Sequence, residues 1–86
     1  MPKISEFFGI SIYIYYREHL PAHFHATYGD DEALIAVENL SVLSGHLAPR
    51  ALGLVMEWAS HHQSELRHVW MQATSHKPLD KIEPLK

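Results

Sequence analysis

Cysteine is absent from this 86-residue chain, so neither a disulfide nor a thiolate metal centre can brace it. That absence fits a reducing compartment, and a cytoplasmic location is expected. No apolar run approaches the roughly 18 residues a membrane-spanning helix needs, so no membrane partner is expected. The opening MPKISEFF lacks the apolar core of a secretory signal. Basic residues are also scarce: seven Lys and Arg stand against ten Asp and Glu, for a net charge of −3 with His neutral. This balance argues against tight nonspecific duplex binding, which requires a concentrated basic patch. No repeat, low-complexity segment or linker divides the chain, and the expectation is a single α+β domain over residues 1–86.

What is present is ordinary for a globular protein, with 47% hydrophobic and 20% charged residues, except for eight histidines. A chain this short buries roughly 60% of its unfolded surface, so a homodimer or a small partner protein would help to stabilise it.

The first half reads as strands. ISIYIYY at 10–16 is β-branched and aromatic, and Gly9 separates it from an extended stretch around Ile4 to Phe8. HFHATY at 23–28 and ALIAVE at 33–38 follow, and SVLSGHL at 41–47 makes a weaker candidate because of Gly45. An antiparallel sheet of three to four strands within residues 3–47 is expected. From Pro49, a favourable first-turn residue, the period changes: Leu52, Val55, Met56, Ala59, Leu66, Val69, Trp70 and Ala73 recur at helical spacing. One long amphipathic helix over 49–74, about 39 Å at 1.5 Å per residue, would pack on one face of the sheet. His62 and Gln63 interrupt its stripe, and a bend or polar contact is expected there. The tail, residues 76–86, holds Pro78 and Pro84 and is expected to run extended along a sheet edge.

Strand alternation then assigns faces. Pairing Arg17 with His23 sets Tyr15 against His25 and Tyr13 against Thr27. Closing the next hairpin with Tyr28 opposite Ala33 sets Phe24 against Val37. One face becomes apolar, with Ile10, Ile12, Ile14, Tyr16, Phe24, Ala26 and Tyr28. The other carries Tyr13, Tyr15, Arg17, His23, His25 and Glu38, with Arg17, His23 and Glu38 in one row and both imidazoles turned to water.

Three readings of that polar face stand side by side, besides plain solvation. In the first it binds or cleaves RNA without a metal, as an endoribonuclease. His23 and His25 would transfer protons, Arg17 would clamp phosphate, Tyr15 would position the substrate and Glu38 would orient His23. In the second, the face docks a partner protein without catalysis. In the third it binds a metal, zinc being the natural ion, through His19, His23 and His25, with Glu18 or Glu38 able to add an oxygen. No cofactor is expected under the first two readings. Trp58, Trp70, His61 and His62 are read as packing or exposed helix residues.

The runs PKISEFFGISIYIYYREHLPAHFHATYGDDEALI, PRALGLVMEWASHHQSEL and PLDKIEPL resemble the bacterial domain of unknown function 4160 family. The E-H-x-P-x-H-F-H-A core, here Glu18, His19, Pro21, His23, Phe24, His25 and Ala26, is the specific part. Ala22 stands where proline is frequent. The resemblance implies one half of a small two-gene module, a toxin-like protein with a partner encoded nearby.

Overall fold

The computed structural model describes residues 2–86. Five strands form one antiparallel sheet in chain order: β1 (Lys3–Phe7), β2 (Ile10–Tyr13), β3 (His23–Tyr28), β4 (Asp31–Ala36) and β5 (Val42–Gly45). The number exceeds the expected three to four because the stretch ending at Phe7 is a full strand, paired with β2 by a two-residue turn. Phe8 and Gly9 supply that turn with φ of 50° and 80°. This double left-handed pair suits the right-handed twist of a hairpin.

Turn length also corrects the register. Gly29 and Asp30 alone connect β3 to β4, so Tyr28 pairs with Asp31, Ala26 with Ala33, Phe24 with Ile35 and His23 with Ala36. On the other side Tyr13 meets His25 and Ile12 meets Ala26. Both ladders lie two residues from the expected alignment. A shift of two preserves side-chain parity, so the apolar face survives. Ile10, Ile12, Ile14, Phe24, Ala26, Ala33, Ile35 and Val37 are fully buried. Tyr16 and Tyr28, assigned to that face, are exposed, because each lies at or beyond the end of its strand.

Two helices cover the apolar face in place of one: α1 (Pro49–His61) and α2 (Gln63–Thr74). His62, with φ −132°, breaks the continuity. Gln63 opens α2 and donates its side-chain amide to the Val37 and Glu38 carbonyls at 2.8 and 3.2 Å, satisfying backbone acceptors beyond the end of β4. The polar interruption in the stripe is therefore a tie between sheet and helices. Val55, Trp58, Ala59, Leu66, Val69, Trp70 and Ala73 close the core, and Trp58 lies against Phe7 and Phe24 at ring separations of 5.4 and 5.9 Å.

The tail runs beside β1: the Ile82 amide donates to the Ile4 carbonyl at 2.8 Å, and the Glu83 carbonyl accepts from the Trp58 indole at 2.8 Å. No helix among the described residues is long and apolar enough to cross a membrane.

Gly45 is required where it stands. Its φ is +75°, and an added Cβ would come within 2.1 Å of the Glu32 carbonyl oxygen. Gly45→Ala is expected to lower stability by at least about 2 kcal/mol, since the left-handed cost alone is about 1–2 kcal/mol and the clash adds to it. The urea unfolding midpoint checks this.

Candidate metal centre

Alternation along β3 places His23 and His25 on the side of the strand away from Phe24. Neither imidazole is turned freely to water, which corrects the expectation. His23 is 6% exposed and its ring lies 5.3 Å from that of Trp70. His23 is the first residue of β3, where a helix side chain can reach round the strand end. The His25 side chain retains 12% exposure, and its ring stands nearly perpendicular to that of Tyr15 with centroids 4.6 Å apart.

The loop between β2 and β3 folds back so that Glu18 meets both rings. Glu18 Oε1 is 2.5 Å from His25 Nε2 and 3.6 Å from His23 Nε2. The opposite nitrogens are also held. His23 Nδ1 lies 2.8 Å from the Pro21 carbonyl, which can only accept, so Nδ1 carries the hydrogen. His25 Nδ1 lies 2.9 Å from Glu32 Oε2. Both rings therefore direct Nε2 toward Glu18 while an oxygen acceptor fixes Nδ1. This is the outer-shell arrangement that orients imidazoles as metal ligands.

Counting hydrogens exposes an imbalance. A neutral His25 has one N–H for two carboxylates, and a neutral His23 spends its only N–H on Pro21. His23 Nε2 is consequently buried with no hydrogen-bond partner. A lone pair facing a carboxylate oxygen is repulsive unless a proton or a cation lies between them. One divalent ion would satisfy Glu18 Oε1 and both Nε2 atoms together. All three atoms lie within 4.8 Å of one another. Bonds of about 2.0 Å at tetrahedral angles need ligand atoms about 3.3 Å apart, so shifts of about 1 Å or less in Glu18 and about 1.5 Å or less between the rings would form the site.

Burial pushes the Glu18 carboxyl up, but the adjoining His25 and, less strongly, His23 side chains outweigh it and hold the group below the usual carboxylate value. Tyr15 is shifted the other way, raised first by burial and then by the nearby Glu32, Tyr13 and Glu18 charges, so its phenol stays a hydrogen-bond donor.

Residues 9–71 match the family model described as Domain of unknown function (DUF4160). The chain belongs to this family. No curated protein and no solved structure matches it. The DUF4160 match spans Glu18, His23, His25 and Glu32, and leaves β1 and the tail outside it.

Of the residues singled out in this DUF4160 chain, the structure brings together His23, His25 and Tyr15, with Glu18 as the oxygen donor. Arg17 and His19 are exposed in the same loop, and His19 is outside the convergent set. Glu38 is elsewhere: its carboxylate accepts from Arg67 Nε at 2.9 Å, so the row of Arg17, His23 and Glu38 does not form. The two-residue register shift is the reason, because it sets Ala36 opposite His23. Glu32 was not anticipated. Its signal was present in Tyr28-Gly29-Asp30-Asp31, since a two-residue turn at Gly29-Asp30 sets Glu32 opposite Thr27, diagonal to His25.

Glu32→Gln keeps the shape but weakens the acceptor that orients His25. If the three atoms hold zinc, its affinity is expected to fall about 10–100-fold, the usual cost of losing a hydrogen bond that orients a ligand, as measured by competition with a chromophoric chelator.

Proposed function

We propose that this protein binds one divalent transition-metal ion through Glu18 Oε1, His23 Nε2 and His25 Nε2. The observation that carries this reading is the buried, partnerless His23 Nε2 aimed at Glu18, 3.6 Å away. A surface ion pair would not need a second imidazole held by its far nitrogen. Two imidazoles and one carboxylate, without thiolate, suit zinc, and also suit iron(II) where positions stay open. The RNA-directed reading keeps His23 and His25 but loses its orienting carboxylate, because Glu38 is engaged by Arg67. Metal binding is favoured over it.

Untagged protein, dialysed against zinc and then freed of unbound ion, is expected to retain one equivalent. It should unfold at a lower temperature after chelation. An ion present at 100 times its dissociation constant stabilises by about 2.7 kcal/mol, which is readily seen in a chain of this size. Protein that elutes metal-free, with melting indifferent to both zinc and chelator, would defeat the reading.

A further inference from the structure

The donor set is short by one for a structural zinc site. Such sites close with four protein ligands, and catalytic sites offer three and leave a position for an exogenous ligand. Among the described residues, only Glu18, His23 and His25 converge, and the chain has no cysteine to complete the set.

The surroundings are asymmetric. Around His23 the side is closed: its side chain is 7% exposed and packs on Trp70 at 5.3 Å. Around Glu18 it is open, that carboxylate keeping 26% exposure. Two tyrosines lie beside His25. Tyr15 meets His25 edge-on at 4.6 Å, and Tyr13 stacks on Tyr15 with ring centroids 5.9 Å apart and planes 6° from parallel. Tyr13 is also the direct cross-strand partner of His25. The three donor atoms are thus closed off on the His23 and Trp70 side, have two tyrosine rings beside His25, and are most open at the Glu18 carboxylate.

The three ligands themselves, two neutral imidazoles and one carboxylate, leave a divalent ion one net positive charge in its coordination shell, which suits a monoanion, and Glu32 offsets it only from behind the His25 ring. Resting on the metal reading above, we infer that the bound ion keeps a solvent-facing coordination position on the Glu18 and Tyr15 side, and that this position takes a small anionic donor of the carboxylate or hydroxide class. Such a centre would be of the catalytic type, with the Tyr13 and Tyr15 rings lying beside the open position.

The test uses the full chain loaded with cobalt(II), whose visible bands report coordination number and ligand exchange. Titration with azide is expected to shift these bands saturably, and added acetate is expected to raise the azide concentration needed for half-saturation. A cobalt spectrum that forms but is indifferent to azide and acetate overturns the open position and leaves metal binding standing, as a closed structural site. A chain on which no cobalt band forms overturns the metal reading and this inference with it.

Discussion

Alanine at His25 is expected to take zinc retention from one equivalent per chain to none, and to remove the rise in melting temperature that zinc produces in the parent. In the proposed site the imidazole would supply one of three donor atoms, and the remaining Glu18 and His23 would be a two-point site unable to hold the ion through dialysis. The side chain is partly exposed and lies at the sheet surface, outside the hydrophobic core. The apo variant should therefore keep the parent's circular dichroism. His23 needs a gentler change because its ring is buried against Trp70, and His23→Gln retains most of the volume while withdrawing Nε2. Both variants should behave alike toward zinc and differ in stability. Undiminished zinc binding by His25→Ala, measured by elemental analysis after gel filtration, would show that the ion sits elsewhere.

The largest stability effect is expected at Trp58. Its side chain is fully buried, lies against Phe7 and Phe24, and donates its indole hydrogen to the Glu83 carbonyl at 2.8 Å. It thus joins sheet, helix and tail in one contact. Replacing a buried aromatic by alanine costs about 3–5 kcal/mol, against a total stability of about 4–13 kcal/mol for a chain of this length. Trp58→Ala is expected to lose a large share of that stability, read as a lowered denaturant midpoint and melting temperature by circular dichroism. Trp58→Phe keeps an aromatic ring in the core but leaves a smaller cavity and removes the indole hydrogen bond, so it should fold with reduced stability and a loosened contact at Glu83. A smaller fall in the unfolding midpoint than for Trp58→Ala, with faster proteolysis near Lys81, would report that loosening.

These two residues illustrate how much of the molecule is legible before its coordinates. Trp58 sits among Val55, Ala59, Leu66 and Val69 at helical spacing, so its burial follows from periodicity. The polar gap at His62 and Gln63 is visible in that stripe as a bend or contact, while the division into two helices is not. What periodicity does not reveal is that Gln63 spends its amide on the Val37 and Glu38 carbonyls, since the two segments lie 25 and 26 positions apart along the chain. Likewise the tail's prolines indicate an extended path but not its contact with Ile4.

The candidate centre divides along the same line. Local chemistry alone determined that Phe24 faces the core and that His23 and His25 share the other side, because alternation along a strand survives any even shift of register. It also marked three to four of the five strands, the helical stripe and the histidine-rich core of the family signature. Tertiary structure decided which carboxylates the imidazoles meet. Turn lengths of two residues exchanged Glu38 for Glu32, and the fold-back of the loop after Tyr13 carried Glu18 onto both Nε2 atoms. Those choices depend on how a closed loop and two ladders pack together, a long-range property that no spacing within one strand encodes.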